Sequence, residues 1–362
     1  MIIVNVNSGL GNQMYHYALY LALKHYNKDQ EVYMENSIFE ICGKPKKYQL
    51  EEIFDLEIPK LENIINKKTY LNYINESKKI SNTLPDNWLS KSAIMCRHLL
   101  LETLEKDGYS NFGQITDLVS NTTYNLKYET LLFLKRTPIL ADLFYRIKAK
   151  SNSYYNMREF YRSISRMINI KKYRLEDKSY LINIMRHKGG NWYYIGNFED
   201  GTKYFHPVEN EIKSAFTFPE LDSINNKIAE KINDSESVSL HVRRGDHLVS
   251  NVNMERKDNY FIKSVNYIKS VVDKPEFFVF SDDIEWCKMN QSNLGLKKED
   301  KIYFVDNNSG NDSYKDMQLM SLCKNNIIPI STFSWWASYL NKNPNKVVIA
   351  PKGYWANASI FL

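Results

Sequence analysis

Hydrophobic and polar positions at the start of the chain follow first a strand period and then a helix period. The apolar, β-branched run at 2–6 predicts a short strand, and a glycine turn at 8–11 follows it. A helical pattern extends from residue 13 to about 25, and a second strand is predicted at 31–35. The order strand, helix, strand favours a parallel sheet.

The middle of the chain, from about 60 to 190, loses this regularity. It contains amphipathic helix candidates but no alternation typical of strands, so we predict a helical insertion there. Within it, residues 134–174 are rich in Lys and Arg interleaved with Tyr and Phe. A solvated helical face is the simplest interpretation of this segment, and a helix lying on an anionic membrane surface is the alternative.

Alternation of strands and helices returns after Phe205. Strands are predicted at 238–242, 277–280, 302–305, 326–330 and 347–350, and helices at 260–272, 317–323 and 335–340. With 362 residues the chain exceeds the usual size of one hydrophobic core, which also favours two domains. We therefore predict an α/β protein with two Rossmann-like domains facing across a cleft. The first is 1–205, including the basic helical insertion at about 60–190, and the second is 206–362.

Composition excludes several classes of protein. The content of 43% hydrophobic and 25% charged residues is ordinary for a globular protein, and no run of about 18 apolar residues could span a bilayer. The first residues do not have the pattern of a secretory signal. The four cysteines are widely spaced without a C-x-x-C pair, which argues against a disulfide framework and a zinc cluster. A cytoplasmic protein is expected.

The most informative motif is His-Val-Arg-Arg-Gly-Asp at 241–246, where a predicted buried strand ends. In α/β folds the loops after the strands present the ligand-binding groups. The planar, permanently charged side chains of Arg243 and Arg244 suit a diphosphate. The alternative is that both arginines pair with carboxylates.

A second motif is the turn Ser-Gly-Leu-Gly-Asn-Gln at 8–13, before the first predicted helix. Its glycines permit close backbone approach, and the helix start offers N–H groups to an anion. A purely structural turn is the alternative. A dinucleotide fingerprint lacks its third glycine, since Met14 stands there, although Glu35 could act as its ribose-binding acid.

Two further motifs follow predicted strands. Ser-Thr-Phe-Ser-Trp-Trp at 331–336 places hydroxyls and backbone amides at a strand-to-helix junction, and its two tryptophans are expected in the core. Asp282 and Asp283 end another strand, and Asp316 precedes a helix. Such carboxylates accept hydrogen bonds from ribose hydroxyls or a guanine edge, or they cap helices.

Together these segments resemble glycosyltransferase family 11, the α-1,2-fucosyltransferases. The matching pieces are SGLGNQMYHYA at 8–18, WYYIG at 192–196, KYF at 203–205, VSLHVRRGDHL at 238–248, FFVFSDDIEWCK at 277–288, DMQLMSLCKNNII at 316–328, STFSWWASYL at 331–340 and VVIAPKGYW at 347–355. The sequence departs from the family at Ser8, where a glycine is frequent, and at 197–199, where a Tyr-Trp-Gln run is frequent. The second departure affects the acceptor contacts.

The resemblance implies a GT-B fold that binds GDP-fucose mainly through its C-terminal domain. Arg243 would bind the β-phosphate, with Arg244 and Asp246 organising the loop, while His241 and Asp316 would lie near guanine. The remaining donor-binding residues would be Gly11, Asp282, Ser331, Thr332 and Phe333. Asn12 would close on the diphosphate with Gly11 and orient the acceptor hydroxyl. The candidate general bases are His16 and Glu199.

The expected reaction is the transfer of fucose from GDP-β-L-fucose, with inversion, to the 2-hydroxyl of a β-galactoside. Because the chain has no Asp-x-Asp pair, we expect Arg243 and backbone amides to stabilise departing GDP without a metal or another cofactor. The acceptor would be a precursor of a bacterial surface glycan, such as an O-antigen or capsule, and a lipid-linked precursor would bring segment 134–174 to the inner face of the membrane. Another GDP-deoxyhexose as donor and a non-catalytic sugar- or nucleotide-binding module are the alternatives. No nucleic-acid-binding module is recognisable.

Overall fold

The structure is a computed structural model. It describes residues 1–42, 47–82, 99–116, 185–187, 189–195, 202–245, 259–351 and 360–361. The chain forms two compact units whose segments alternate along the sequence: the first unit is Met1–Asn5, Leu23–Glu35 and Pro59–Phe198, and the second unit is Val6–Ala22, Asn36–Ile58 and Glu199–Leu362. The functional division into domains at residue 205 stays a prediction.

The described residues form helices in both units of the chain. They are α1 (Leu10–Tyr26), α2 (Ile38–Cys42), α3 (Leu50–Phe54), α4 (Lys67–Asn82), α5 (Thr202–Phe205), α6 (Glu209–Ala215), α7 (Ser223–Asn233), α8 (Tyr260–Val271), α9 (Ile284–Met289), α10 (Tyr314–Leu322) and α11 (Thr332–Leu340). Residues 99–106 are helical as well.

A four-stranded parallel sheet forms the centre of the described part of the first unit. Its strands are β1 (Ile2–Asn5), β2 (Val32–Glu35), β3 (Phe112–Thr116) and β4 (Asn191–Ile195), in the order β2-β1-β4-β3. Strand β1 lies in the middle, and its Ile2, Ile3 and Val4 are fully buried. A nearly continuous apolar run is what a strand covered on both faces requires.

The second unit is built on a six-stranded parallel sheet in the part that the structure describes. Its strands are β5 (Ser237–Val242), β6 (Glu276–Ser281), β7 (Lys301–Val305), β8 (Asn325–Ile327), β9 (Val348–Ala350) and β10 (Ile360–Phe361), in the order β10-β9-β8-β5-β6-β7. The chain proceeds outward from β5 through β6 to β7. It then returns to the other side of β5 and continues outward through β8, β9 and β10.

The neighbouring strands β5 and β8 therefore mark the point where the strand order reverses. This is the arrangement of doubly wound nucleotide-binding folds, in which ligands bind outside the carboxyl ends of the strands at the reversal. Strand β5 ends at Val242 and leads directly to Arg243, and β8 is followed by the start of α11 at Thr332. The fold alone therefore predicts a ligand-binding site at these two strand ends.

Two apolar clusters stabilise the second unit. The first covers the sheet, where Leu240 and Val279 are fully buried and pack with Phe261 and Val265 of α8. The second is aromatic and surrounds Trp336, which is fully buried, with Tyr15 of α1 at a centroid distance of 5.0 Å. The core position predicted for Trp335 and Trp336 is confirmed, since Trp335 is only 4% exposed.

The predicted strands and helices outside the insertion are present, with ends displaced by a few residues. Helices α1 and α11 each begin three residues earlier than predicted, at Leu10 and Thr332. Each added stretch has one large apolar residue, Leu10 or Phe333, among small and polar residues, which is too few to show a helical period. The α/β class with parallel sheets is confirmed.

The range of about 60–190 is not wholly helical. It contains α4 and the helical segment at 99–106, but also β3, which pairs with β4 in parallel register from Phe112 to Thr116. The sequence of β3, Phe-Gly-Gln-Ile-Thr, is too short and too polar to give a strand pattern alone. The whole of the basic segment 134–174 lies within residues 117–184, which are outside the described residues.

Candidate functional site

The loop after β5 is organised by one carboxylate from the loop after β6. Asp282 accepts hydrogen bonds from the backbone N–H groups of Arg244 at 2.8 Å and Gly245 at 3.1 Å. Its Oδ2 also lies 2.9 Å from Arg243 Nη1. A Cβ at Gly245 would stand 2.7 Å from Asp282 Oδ2, so a side chain there would displace the carboxylate. The loop conformation therefore depends on glycine and on Asp282 together.

Arg244 has a different environment from its neighbour. Its Nε donates to Asp283 Oδ2 at 2.9 Å, and its guanidinium lies over the Trp286 ring at 3.8 Å from the centroid. Its side chain is only 11% exposed, whereas that of Arg243 is 34% exposed. Arg244 thus fixes the loop against α9, and Arg243 is the arginine that is more accessible to a ligand. Both arginines pair with carboxylates in the structure, as the alternative interpretation of the motif predicts.

Asp283 has a second function in the structure. Its Oδ1 accepts from the backbone N–H of Trp286 at 3.3 Å and so caps the N-terminus of α9. The capping alternative is therefore confirmed for Asp283. Asp282 instead accepts from the loop after β5.

The start of α11 lies beside the end of β5. The ring of Phe333, in the first turn of α11, is 5.9 Å from the ring of His241, which is buried near the end of β5. Ser331 is the N-cap residue of this helix and has extended backbone angles. The two strand ends at the reversal of strand order thus contribute neighbouring side chains.

The start of α1 packs directly against the start of α11. Thr332 Oγ1 donates to Asn12 Oδ1 at 2.6 Å, and Trp336 Nε1 donates to the carbonyl of Gly11 at 2.8 Å. A Cβ at Gly11 would lie 2.7 Å from backbone atoms of both Thr332 and Phe333. Because the first N–H groups of a helix have no partner within it and carry partial positive charge, two helix starts in contact form an environment suited to an anion.

The turn before α1 is held by a buried amide. Gln13 is fully buried, and its Nε2 donates to the carbonyls of Ser8 at 3.0 Å and Lys47 at 2.8 Å, while its Oε1 accepts from the N–H of Gln49 at 2.9 Å. Ser8 adopts a left-handed conformation with φ 66°, which explains why a glycine suits this position. The motif at 8–13 therefore combines close approach at Gly11 with structural support from Gln13.

Asp316 belongs to a separate polar network at the start of α10. Its Oδ1 accepts from Asn308 Nδ2 at 2.8 Å. Burial raises the pKa of Asp316 to about 7, and the hydrogen bond from Asn308 opposes this increase. A half-buried carboxylate with one oxygen engaged has the chemistry to accept from a donor edge of a ligand.

The structure thus places the predicted residues in distinguishable groups. The helix starts bring together Gly11, Asn12, Thr332 and Phe333 with His241 adjacent, and the loop after β5 brings together Arg243, Arg244 and Asp282. His16 is fully buried in α1, so its side chain is not exposed to a substrate in this structure; its role as a base stays a prediction. Asp246 lies outside the described residues.

Three supporting residues were not assigned from the sequence. Trp286 provides the ring under Arg244, Gln13 fixes the turn, and Asn308 contacts Asp316. Gln13 and Trp286 lie within the segments 8–18 and 277–288 that match the family, so the sequence contained a signal for both residues. Asn308 lies in a polar loop, Asp-Asn-Asn-Ser-Gly, whose composition does not distinguish it from any other turn.

Two kinds of feature are missing from the residues that the structure describes. No group of three or more His, Cys, Asp or Glu side chains there could hold a metal ion, and the predicted independence from metal stays a prediction. Among the helices that the structure describes, none has the length and apolar content to cross a membrane.

The strand order and its reversal define a doubly wound α/β protein with parallel sheets. The chain belongs to Glycosyl transferase family 11, whose sequence model matches residues 106–359. The match includes the loops after β5, β6 and β8. The turn at 8–13 precedes the matched range.

Curated relatives agree with the family. The alpha-1,2-colitosyltransferase of Escherichia coli is 34% identical over 183 residues, covering 49% of this chain and 61% of the relative. The O-antigen biosynthesis glycosyltransferase WbnK of Escherichia coli is 36% identical over 127 residues, or 34% and 40% of the two chains. Galactoside alpha-(1,2)-fucosyltransferase 1 of Ateles belzebuth is 27% identical over 160 residues, or 40% and 42%. The matches thus cover less than two thirds of each relative.

Proposed function

We propose that this protein is an inverting α-1,2-fucosyltransferase that transfers L-fucose from GDP-β-L-fucose to the 2-hydroxyl of a terminal β-galactoside. The observation that carries the proposal is that three features suited to an anion lie in, or pack against, the segments that follow β5 and β8. These are the start of α1 at Gly11, the start of α11 at Thr332 and the accessible guanidinium of Arg243. All three favour a negatively charged ligand.

A diphosphate is a suitable ligand for a guanidinium beside helix starts. Arg243 offers a planar fork that forms paired hydrogen bonds to phosphate oxygens, and the pair with Asp282 orients this fork. Because GDP gains negative charge as it leaves the sugar, fixed donors at this position stabilise the transition state more than the bound substrate. On this account Arg243 and backbone amides supply that stabilisation, and we propose that no metal is required.

Inversion follows from the chemistry of the donor. A β-linked donor and an α-linked product require one in-line attack of the acceptor hydroxyl on the anomeric carbon. Asn12 uses its Oδ1 to accept from Thr332, which turns the donor end of its amide away from that contact. We propose that this amide orients the diphosphate or the acceptor hydroxyl. A general base is required as well, and an accessible carboxylate or imidazole fits that role better than the buried His16.

The acceptor is proposed to be a precursor of a bacterial surface glycan. The relative named for O-antigen biosynthesis and the relative named as a galactoside transferase support this choice. Assembly of lipid-linked precursors would place the protein in the cytoplasm at the inner membrane surface, with the basic segment 134–174 in contact with anionic lipid. Flotation with anionic liposomes at low salt tests that contact, and failure to float would contradict it.

A second donor has a specific observation in its favour. The colitosyltransferase relative matches a larger share of this chain than the fucosyltransferase relative does, 49% against 40%. GDP-colitose is therefore the alternative donor, with the same reaction type and the same diphosphate contacts.

One assay separates these possibilities. Purified protein is incubated in EDTA with GDP-fucose or GDP-colitose and with lactose, Galβ1-3GalNAc or Galβ1-4GlcNAc, and the products are identified by mass spectrometry. We expect an α-1,2-linked product from GDP-fucose. Product from GDP-colitose alone would move the assignment to the alternative donor. Binding without product from either donor would favour a non-catalytic module.

A further inference from the structure

A chain of side-chain amides connects α7, the loop after β7 and α10. Asn225 of α7 is 1% exposed and forms a reciprocal pair with Asn308: its Nδ2 donates to Asn308 Oδ1 at 3.0 Å, and its Oδ1 accepts from Asn308 Nδ2 at 2.9 Å. Asn307 Nδ2 also donates to Asn225 Oδ1, at 3.0 Å. Asn308 Nδ2 continues the chain to Asp316 Oδ1 at 2.8 Å.

The orientation of the amide groups in this network is set by a second carboxylate, that of Asp222. Asn225 Nδ2 donates to Asp222 Oδ2 at 2.9 Å. Hydrogen bonding from the Asn225 backbone, together with Lys315, holds the pKa of Asp222 well below its usual range. An ionised carboxylate only accepts hydrogen bonds, so the Nδ2 of Asn225 must face it. The Oδ1 of Asn225 is then the atom that accepts from Asn308 Nδ2. The same Nδ2 of Asn308 also donates to Asp316.

This orientation determines which oxygen of Asp316 is available. Oδ1 is engaged as an acceptor by Asn308, and therefore Oδ2 carries either the proton of the acid or the hydrogen bond of a ligand. A base that presents adjacent N–H donors, such as the N1–H and N2–H₂ edge of guanine, matches the ionised form. Adenine presents a lone pair at N1 and does not.

The charged groups around Asp316 do not replace Asn308 in this role. Lys315 lies 3.0 Å from Asp222 and 2.7 Å from Asp312, so these three neighbours pair with one another. Lys227 and Glu230 of α7 are exposed, and α11 carries no charged residue. The amide of Asn308 is therefore the contact that favours the charged form of Asp316.

We propose that Asn308 is a positioning residue that holds Asp316 with one oxygen directed to the guanine base of the donor. The proposal rests on the proposed GDP-sugar function and adds a residue and a pH dependence to it. Since burial raises the pKa of free Asp316 to about 7, donor affinity should be complete above that pH and should fall below it. The limiting fall is about tenfold per pH unit.

The test is the affinity for GDP-fucose measured by calorimetry from about pH 6 to about pH 8.5. Its diphosphate is a diester and does not titrate in this range. In Asn308→Ala the pKa of Asp316 rises further, so the midpoint of the affinity profile should move up by about half to one pH unit. Affinity at the alkaline end should fall by a smaller factor than at about pH 6, because Asp316 is ionised there in both proteins and only its orientation is lost. Asn308→Ser serves as a second variant.

Asn307→Ala is the matched control. Asn307 lies in the same loop and donates to Asn225 Oδ1 and Asn308 Oδ1, whereas the amide that donates to Asp316 is that of Asn308. Its midpoint should equal that of wild type. Equal midpoints in Asn308→Ala and Asn307→Ala would overturn the proposal.

Failure of the proposed function gives a different result. Wild type would then not bind GDP-fucose at any pH, whatever the state of Asn308. The pKa of Asp316, followed by carboxyl NMR without ligand, would still decide the contact itself: it should be higher in Asn308→Ala than in Asn307→Ala, and equality would overturn it.

Discussion

Arg243 and Asp282 are joined by an ion pair of 2.9 Å between Nη1 and Oδ2, and the same carboxylate accepts from the two following backbone N–H groups. The pair connects the carboxyl ends of two adjacent strands, β5 and β6. Asp282 therefore sets both the loop conformation and the direction of the guanidinium. Because the Arg243 side chain is 34% exposed despite this pair, we propose that the guanidinium so directed binds the diphosphate.

Replacement of Arg243 by Ala should lower turnover by at least about 10²–10³, because it removes a charged donor from the position where GDP gains charge. Arg243→Lys should have intermediate turnover, since it retains the charge and loses the planar fork. Steady-state kinetics with GDP-fucose measures the effect. Lys298→Ala, at an exposed position, is the control and should behave as wild type. Near-normal turnover of folded Arg243→Ala would refute the assignment.

Alanine substitution at two glycines of the same turn should affect stability and donor binding differently. A Cβ at Gly11 meets backbone atoms of α11 at 2.7 Å, whereas a Cβ at Gly9 has nothing within 4 Å. Gly11→Ala should therefore force the helix starts apart, with a loss of about 1–3 kcal/mol and weaker donor binding. Gly9→Ala should leave both unchanged. Thermal unfolding and GDP titration of the two variants make the comparison, and equal behaviour would contradict the close approach.

Ser8→Gly should stabilise the protein modestly. A left-handed conformation costs a non-glycine residue about 1–2 kcal/mol, and glycine offsets part of this gain through its greater freedom when unfolded. We expect a net gain of up to about 1 kcal/mol in the free energy of unfolding. Ser8→Ala retains the strain and should show no gain. A higher stability of Ser8→Ala than of Ser8→Gly would contradict the prediction.

Asp316→Asn should stabilise the ligand-free protein at alkaline pH while weakening GDP binding. The folded carboxyl holds its proton more tightly than the unfolded chain, because burial raises its pKa from 3.8 to about 7. Ionisation therefore destabilises the fold progressively between these values, and the full penalty is present above about pH 7. The gain in melting temperature should be present at about pH 8 and absent near pH 4. A gain of equal size at both pH values would argue against this origin.

The strand ends that carry the site were predictable from sequence because buried parallel strands have continuous apolar runs. The runs at 238–242 and 277–280 identified β5 and β6, and the polar residues after them identified their loops. Strand β3 was not predictable, since its pairing with β4 rather than its own pattern makes it a strand. Parallel pairing joins segments that are distant in sequence.

The division of labour within each motif was harder to predict. The family resemblance implied separate roles for Arg243 and Arg244, but residue type does not separate them. The structure does so for Arg244, through the ring of Trp286 and the carboxylate of Asp283. Packing of α1 against α11 through Gly11 likewise depends on tertiary structure. The contact of Asn308 with Asp316 could not be predicted from sequence, since it is apparent only from the hydrogen bonds among the side chains.

The central claim is that the loops at the reversal of strand order bind the diphosphate of a GDP-sugar. Titration of GDP and of guanosine into wild type and Arg243→Ala tests it most directly. Wild type should bind GDP at least about 100-fold more tightly than guanosine, and Arg243→Ala should lose most of that difference while binding guanosine as before. Equal affinities of wild type for GDP and guanosine, or an unchanged difference in Arg243→Ala, would contradict the account.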